Sequence, residues 1–207
     1  MSDDETLRVY DARAAEYADA LGADPASNAA LSAFIAALPK GGRVLDLGCG
    51  PGTWARRMVE AGLTVEGWDA SEGMIAIASR VPGLTVRQAR FEDLDAEAAY
   101  DGIWANFSLL HAPRADMPEH LARIARALRP GGVLHVGLKE GTGEARDSLG
   151  RFYAYYGLDE FRDLLRDAGL RPDGARQGAD KGLDGTVAPW FTLSATKQPS
   201  SSAAAGQ

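Results

Sequence analysis

Two apolar patterns at helical spacing open the chain. Apolar side chains recur every three or four residues over residues 7–21, which predicts a helix that ends at Gly22. A second helix is predicted from about Pro25 to Leu38, before a break at residues 39–42. These two helices precede the part of the chain in which the pattern becomes repetitive.

From residue 44 onward, short apolar runs alternate with amphipathic segments. Strands are predicted at residues 44–47, 63–68, 84–88, 100–105 and 133–138. Helices are predicted at residues 53–61, 71–80 and 117–128 and around 161–168. Strands that alternate with helices of about ten residues indicate βαβ units, and hence a parallel sheet with helices on both faces.

The end of the chain departs from this alternation. Segments 171–177 and 186–196 flank a turn rich in glycine and aspartate, which predicts an antiparallel pair at one edge of the sheet. The predicted fold class is therefore α/β: a Rossmann-like, doubly wound, seven-stranded sheet, mostly parallel with an antiparallel C-terminal strand. Residues 1–197 are expected to form one domain, and the low-complexity stretch 198–207 is expected to be disordered.

The charge and cysteine content narrow the range of partners and compartments. The 22 basic residues are outnumbered by 29 acidic ones, and the net charge of −7 disfavours nucleic acid as the main partner. A single cysteine, Cys49, excludes an internal disulfide and fits a reducing compartment. The acidic N-terminus is unlike a signal peptide, and no apolar run reaches the roughly 18 residues of a membrane span. We therefore expect a cytoplasmic protein with no membrane partner.

A glycine-rich stretch, VLDLGCGPG at residues 44–52, follows the first predicted strand. Such a loop before a helix can bring backbone N–H groups and the positive end of the helix dipole against a ligand. The dinucleotide-binding spacing requires a third glycine where this chain has Thr53, so that fingerprint fails by one residue. Asp46 adds a negative charge that would repel a phosphate. A cationic or zwitterionic ligand suits this loop better.

Asp69 lies about twenty residues beyond the loop, at the end of the second predicted strand. A carboxylate at that position can accept hydrogen bonds from both hydroxyls of a ribose. The loop and Asp69 together predict an adenosine-containing ligand whose remaining group need not be a pyrophosphate.

The stretch VLDLGCGPG followed by GWDASEGM resembles the first two motifs of the class I S-adenosylmethionine-dependent methyltransferases. The resemblance extends over roughly residues 7–196, and VYDARAAEYADAL is similar to the N-terminal lid helix of that family. The segments YDGIWANFSLLH and LRPGGVLHVGLKEGTGEARDSLGRF resemble its later motifs. The resemblance implies a small-molecule methyltransferase that uses S-adenosyl-L-methionine, with lid helices over residues 1–38 and a core over residues 42–197.

The resemblance also implies which residues bind the cofactor. Asp46 and the loop backbone would hold its methionine end, and Asp69 would bind the ribose. Asn106 and Phe107 would lie beside the sulfonium. The acidic residue that many relatives place at the adenine is missing from this chain, so the backbone N–H of Phe91 would contact the adenine instead. The implied cofactor residues are Asp46, Gly48, Cys49, Gly50, Gly52, Thr53, Asp69, Ala70, Met74, Arg90, Phe91, Asn106 and Phe107.

Two residues after the later strands are candidates for contact with a methyl acceptor. Methyl transfer from a sulfonium is an in-line displacement, so alignment and exclusion of water can supply most of the catalysis. His111 is a candidate general base, and the alternative is a structural histidine that holds its loop. Lys139 is either an acceptor contact or an exposed charge, and we expect it to be exposed.

The segment GRFYAYYG at residues 150–157 combines four aromatic side chains with Arg151. Aromatic faces attract cations and arginine binds carboxylates in a forked geometry, so we predict that the segment covers an anionic acceptor. The alternative is a lid that packs on the N-terminal helix, with Arg151 in a structural ion pair. The predicted substrate residues are Tyr10, Tyr17, Arg151, Phe152 and Tyr155.

Three other functions stay open, and the sequence does not indicate an oligomeric state. An NAD(P)-dependent oxidoreductase is disfavoured by Thr53 and by the lack of an obvious Tyr-x-x-x-Lys pair. A non-catalytic sensor of S-adenosylmethionine or S-adenosylhomocysteine fits the same motifs, because methyl transfer needs no signature residue. Methylation of RNA or protein is disfavoured by the charge and by NFSLL after the fourth strand, where amine methyltransferases carry an Asn/Asp-Pro-Pro-aromatic signature.

Overall fold

A sheet of seven strands lies at the centre of the protein. The computed structural model describes residues 3–20, 28–182 and 184–199. Its strands are β1 (Arg43–Leu47), β2 (Thr64–Asp69), β3 (Thr85–Gln88), β4 (Tyr100–Asn106), β5 (Leu128–Lys139), β6 (Glu144–Arg146), β7 (Phe152–Ala154), β8 (Leu170–Lys181) and β9 (Val187–Lys197). The order across the main sheet of the described residues is β3-β2-β1-β4-β5-β9-β8, in which β9 runs antiparallel to both neighbours and the other pairs are parallel. This arrangement confirms the predicted fold class.

Seven helices accompany the sheet in the described ranges. They are α1 (Asp4–Ala12), α2 (Ala14–Ala20), α3 (Ala29–Ala36), α4 (Thr53–Glu60), α5 (Glu72–Ala78), α6 (Met117–Ala127) and α7 (Leu158–Asp167). Every helix in those ranges is too short or too polar to cross a lipid bilayer.

The helices pack on both faces because strand residues that point to opposite faces are both apolar. On one face, Leu134 and Val136 of β5 belong to a core that includes Phe161 of α7. On the other face, Trp104 of β4 packs against Phe34 of α3, with ring centroids 5.2 Å apart. The parallel strands are therefore buried from two sides, as in other α/β folds.

Local differences from the sequence prediction concern the N-terminal helix and the region after β5. The single helix predicted over residues 7–21 is wrong, because the chain leaves helical geometry at Arg13 between α1 and α2. Asp11 at this break accepts a hydrogen bond from Ser71 Oγ at 2.6 Å, a tertiary contact that periodicity does not reveal. The hairpin β6–β7 was not predicted either. Gly22, the predicted end of the first helix, and Pro25, the predicted start of the second, lie outside the described residues. The predicted tail from residue 200 onward lies outside them too.

The carboxyl ends of the parallel strands meet at one edge of the sheet. The loops after β1, β2 and β4 therefore converge there. Helix α1 and the hairpin β6–β7 pack beside the same edge, where Phe152 N–H donates to Thr6 Oγ1 at 2.8 Å. This edge is where the predicted site residues are expected to meet.

Candidate active site

A cavity lies at this edge of the sheet, beneath α1. Concave sites at this edge of an open α/β sheet are where ligands bind. Most of the predicted cofactor residues lie in its wall: Gly48, Cys49, Gly50, Thr53, Asp69, Ala70, Met74, Arg90, Phe91, Asn106 and Phe107. His111, Tyr10 and Tyr17 also line the cavity. The fold thus brings residues from distant parts of the chain to one site.

Two of the three loop glycines are required by neighbouring protein atoms. A Cβ on Gly48 would lie 2.2 Å from the Cβ of Ser108, whose hydroxyl donates to Leu47 O at 2.6 Å. A Cβ on Gly52 would lie 3.2 Å from Val81, in the turn that follows α5. Gly48 therefore admits the loop after β4, whereas Gly52 begins α4 and packs against that turn. Gly52 does not lie in the cavity wall, so packing explains this glycine, and its contact with a cofactor stays a prediction.

Gly50 is the loop glycine that leaves bare backbone facing the cavity. The nearest atom to a Cβ at this position is Tyr17 Cε1, 3.8 Å away, and the residue has a φ of +53°. Its N–H donates to Asp69 Oδ2 at 2.9 Å. The other carboxylate oxygen of Asp69 accepts from Ser71 N–H at 2.9 Å. The main chain thus holds both oxygens of Asp69 in place, and each keeps accepting capacity toward the cavity.

Asp46 lies beneath the glycine loop and outside the cavity wall. Its side chain accepts a hydrogen bond from Ala55 N–H in the first turn of α4, while Oδ2 has no hydrogen-bond partner in the described residues. Burial, together with the charge of Asp69, raises the pKa of Asp46 to about 8. At pH 7 the Asp46 carboxyl is therefore mostly protonated and uncharged in the ligand-free protein. It lies beneath the loop rather than in the wall, and its direct contact with the methionine end stays a prediction.

Cys49 lies in the wall but is packed against the sheet. Its Sγ is 3.0 Å from the position that a Cβ on Gly67 would take, so Gly67 makes room for it in β2. Burial raises the pKa of the Cys49 thiol well above its ordinary value. An inert packing role fits this environment.

The far end of the cavity is apolar and is closed by an ion pair. Met74 is buried there, and Ala89 and Phe91 complete the wall. Arg90 Nη2 lies 2.7 Å from Asp4 Oδ1, which attaches the start of α1 to the segment after β3. A planar apolar group such as an adenine fits between such side chains.

Both ring nitrogens of His111 are engaged in the structure. Nδ1 is 2.6 Å from the carbonyl oxygen of Phe152, which can only accept, so Nδ1 carries the proton. Nε2 then accepts from the hydroxyl of Tyr10 at 2.8 Å. Burial lowers the pKa of His111 to about 4, and the imidazole is neutral at pH 7. This geometry favours the structural alternative over the general base.

Arg151 is buried in an ion pair rather than in the cavity wall. Its Nη2 and Nε lie 2.6 and 2.8 Å from Asp147 Oδ2, and Nη1 donates to the Tyr10 hydroxyl at 3.4 Å. Its guanidinium also lies over the ring of Tyr153, 5.4 Å from the centroid. This pairing favours the structural alternative for Arg151, an ion pair within the lid, and its binding of an anionic substrate stays a prediction. Phe152 and Tyr155 also lie outside the wall.

Helix α1 is held over the cavity by contacts to both sides of it. On one side, Asp11 accepts from Ser71 Oγ and from Gly73 N–H, at 2.6 and 3.2 Å. On the other, Asp3 Oδ1 accepts from Arg146 of β6 at 2.8 Å, and Thr6 binds the backbone of β7. The helix thus has the position of a lid.

Several residues of the cavity wall were missed by sequence reasoning: Asp3, Thr6, Leu7, Trp54, Trp68, Ala89 and Ser108. Asp3 accepts from Thr6 N–H at 2.8 Å, and this N-cap pairing is a helix-start signal that could have been found. Trp54 directly follows the glycine loop and was equally within reach. Ser108 was not, because only the fold brings it against Gly48.

A doubly wound sheet, a glycine loop after β1 and a carboxylate at the end of β2 define a protein that binds an adenosine-containing cofactor. Residues 44–132 match a family model described as a methyltransferase domain. The chain is 35% identical over 157 residues to 27-O-demethylrifamycin SV methyltransferase of Amycolatopsis mediterranei, a match that covers 67% of this chain and 57% of that protein. It is 38% identical over 117 residues to trans-aconitate 2-methyltransferase of Methylobacterium nodulans, covering 53% of this chain and 43% of that protein.

Solved structures give the same fold over nearly the whole chain. The 1,6-didemethyltoxoflavin-N1-methyltransferase of Burkholderia thailandensis, solved with 1,6-didemethyltoxoflavin and S-adenosylhomocysteine bound, has a TM-score of 0.78 at 23% identity and covers 95% of this chain and 88% of that one. DhpI in complex with S-adenosylhomocysteine has a TM-score of 0.70 at 24% identity, covering 95% of this chain and 97% of that one.

The chain belongs to the class I S-adenosylmethionine-dependent methyltransferase family, as the resemblance of its motifs implied. The cofactor of this family is S-adenosylmethionine. The chain spans about half the length of the curated relatives that it matches.

Proposed function

We propose that this protein transfers the methyl group of S-adenosylmethionine to a small-molecule acceptor. The observation that carries the proposal is the pairing of Gly50 with Asp69, which sets open backbone and a fixed carboxylate on one wall of the cavity. Curated relatives named for methyl transfer to rifamycin and aconitate compounds support a small acceptor.

The residues of the cavity fit the parts of this cofactor. The backbone at Gly48 and Gly50 would hold its methionine portion, and Asp69 would accept hydrogen bonds from the two ribose hydroxyls. Met74 and Phe91 would enclose the adenine. When bound, the cofactor supplies a methyl group on a sulfonium, which is a good leaving group.

The protein itself would align the reacting groups and exclude water from the cavity. Helix α1 covers the cavity and separates it from water, which favours a displacement in which charge is redistributed. Tyr17 lies against Gly50 and Phe107 follows β4, so both place aromatic rings near the expected sulfonium end. Ring faces attract cations and would favour the charged cofactor. His111 would keep Tyr10 in place rather than remove a proton.

The proposal is tested first by ligand binding. S-adenosylhomocysteine and S-adenosylmethionine should raise the melting temperature of the protein, and NAD should not. Asp69→Ala should weaken binding of S-adenosylhomocysteine by about 100-fold, because two hydrogen bonds to a charged group are lost. Asp95→Ala changes an exposed carboxylate and is the matched control. Circular dichroism and the urea midpoint check that each variant is folded.

Turnover is tested next with a panel of small acceptors, and release of S-adenosylhomocysteine is measured. Release that depends on one acceptor class supports the enzyme. Binding of the cofactor with no release on any acceptor would support a sensor instead. Stabilisation by NAD alone would contradict the proposal altogether.

A further inference from the structure

Lys139 is a half-buried cation without an anionic contact at the end of β5. Its Nζ lies 4.0 Å from the ring centroid of Tyr153. Within the described part of the chain it forms no ion pair shorter than 4.0 Å and no side-chain hydrogen bond. The expectation that this lysine is a freely exposed charge is therefore wrong.

The surroundings of Lys139 connect it to the cavity from two directions. Tyr153, on which the ammonium rests, contacts His111 in the cavity wall, with ring centroids 4.8 Å apart. Trp190 is the partner of Lys139 across the β5–β9 pair, and its ring meets that of Phe107 at 6.2 Å. Phe107 also belongs to the cavity wall. The ammonium thus lies beside the end of the cavity where β4 and β5 finish.

The backbone at this end of the cavity is held in an unusual conformation. Phe107 has a φ of 56°, which is a rare and costly conformation for a bulky residue. A Cβ on Gly137 would lie 2.6 Å from Asn106 Oδ1 and 3.2 Å from Phe107 Cε2. The fold therefore keeps the aromatic ring of Phe107 against β5, two residues before Lys139.

A half-buried ammonium loses part of its water, and the only contact that the described residues give it in return is the ring face of Tyr153, which carries no negative charge. Asp184 and Asp147 favour the charge of Lys139 at longer range, and neither makes contact with it. Burial nevertheless lowers the pKa of Lys139 below its ordinary value. The environment is that of a cation whose direct partner comes from outside the chain.

We propose that Lys139 binds the carboxylate of the methyl acceptor, and that the acceptor is a planar carboxylic acid whose flat part lies against the rings of Phe107 and Trp190. This inference rests on the proposed function, since it assigns the substrate class of the same site. Flat apolar rings favour a planar partner, and the ammonium supplies the charge that selects an acid over its neutral amide.

The test uses matched acid and amide probes on protein saturated with S-adenosylhomocysteine. The probes are indole-3-acetate with indole-3-acetamide, and 3,4-dihydroxybenzoate with its amide. We expect at least one acid to bind tenfold or more tightly than its amide, as measured by calorimetry. Lys139→Met should remove this preference, and Lys139→Arg should keep most of it.

Lys40→Met is the matched control, because Lys40 is an exposed lysine in the turn before β1. It should leave the preference unchanged. Asp184→Asn separates a structural partnership from acceptor binding: it should preserve or strengthen acid binding, since it removes a competing negative charge. Loss of acid binding in Asp184→Asn, with the urea midpoint unchanged, would overturn the inference.

The inference is also overturned if no acid binds better than its amide, or if the preference survives Lys139→Met. Binding of S-adenosylhomocysteine by itself is recorded in the same experiments. If that binding fails, the proposed function fails. If it succeeds while the acid preference is absent, the assignment of Lys139 alone is wrong.

Discussion

The two halves of the cavity are built by different parts of the polypeptide. On the cofactor side, Gly48 and Cys49 donate their N–H groups to Trp68 O at 2.7 and 2.9 Å, so the backbone of the loop is held by the backbone of β2. On the acceptor side, the Tyr10 hydroxyl joins His111 and Arg151, which lie 101 and 141 residues away in the sequence. The first half depends on backbone and the second on side chains.

This difference determines which substitutions each half tolerates. A backbone site is sensitive to added volume and to φ, since its donors do not depend on side-chain identity. A side-chain site is sensitive to the loss of a single partner, because buried polar groups then stay unpaired. The predictions below separate these two sensitivities.

The largest effect is expected for Arg151→Met on the acceptor side. The ion pair of Arg151 with Asp147 has side chains only 3% and 5% exposed, and removal of one partner leaves a buried charge. We expect the free energy of unfolding to fall by about 3–5 kcal/mol. Urea unfolding measures the loss. The affinity of the folded variant for S-adenosylhomocysteine should stay close to that of the wild type.

Arg146→Met is the control within the same hairpin. Arg146 pairs with Asp3, but its side chain is 41% exposed, and water screens the pair. The expected loss is much smaller than that of Arg151→Met. Equal losses in the two variants would show that burial of the Arg151 pair is not what stabilises this half.

The next largest effect is expected for Gly48→Ala on the cofactor side. The new Cβ would lie 2.2 Å from that of Ser108, and the φ of +79° is unfavourable for alanine. Crowding and backbone strain together should cost about 3 kcal/mol in the free energy of unfolding. The double variant with Ser108→Gly should recover about 1 kcal/mol of this through the removed clash.

Gly50→Ala sharpens the same contrast. Its φ is also positive, yet its Cβ would meet nothing closer than 3.8 Å. It should cost only about 1–2 kcal/mol in stability while weakening S-adenosylhomocysteine binding. If the Gly50→Ala protein bound the ligand like the wild type, the ligand would not lie close against the backbone of Gly50, contrary to our proposal.

The contrast between a backbone site and a side-chain site also explains which parts of the fold and of the site can be predicted from the sequence. The strands, the loop and Asp69 follow from periodicity and from spacing along one short stretch, because adjacent parallel strands β1 and β2 place them together. The break at Arg13 does not follow from periodicity, because it depends on contacts of α1 with the start of α5 and with the hairpin, which only the folded chain defines. Arg151 and Asp147 are only four residues apart, but their pairing depends on the turn of the hairpin, which periodicity does not predict either.

For the glycines of the loop after β1, the sequence predicts where they lie but not what each of them does. Gly48, Gly50 and Gly52 read alike in the motif, yet their neighbours differ: Ser108, Tyr17 and Val81 respectively. Sequence spacing shows that a side chain is absent and does not show what takes its space.

A smaller effect, confined to pH, is expected from Asp46 beneath the loop. Its pKa is raised to about 8 in the folded protein, against about 3.9 when unfolded, so the folded state binds more protons between these values. Stability from this group is therefore present at low pH and falls as pH rises toward 8. Between pH 7 and 8 the expected loss is about 1 kcal/mol. Histidines add little there, because their ordinary pKa is below this window.

Asp46→Asn should remove this dependence, because an amide of nearly the same shape does not titrate. The measurement is urea unfolding of ligand-free protein at pH 7 and pH 8. A slope that persists in the variant would assign the proton to another group.

The smallest effect is expected for Tyr10→Phe, which removes the hydroxyl that joins the two sides of the acceptor half. The bond to the neutral ring nitrogen of His111 and the long 3.4 Å bond from Arg151 Nη1 are both lost, so stability should fall by about 1 kcal/mol. The hydroxyl stabilises the neutral imidazole of His111, and its loss should raise the pKa of His111 from about 4 by up to about one unit. NMR titration of the ring protons measures this shift. Tyr17→Phe alters a neighbouring ring that makes no such bond and should leave the pKa of His111 unchanged. A pKa of His111 that does not rise in Tyr10→Phe would mean that Tyr10 is not the donor to Nε2. The conclusion that the Tyr10 hydroxyl connects the side chains of this half would then be wrong.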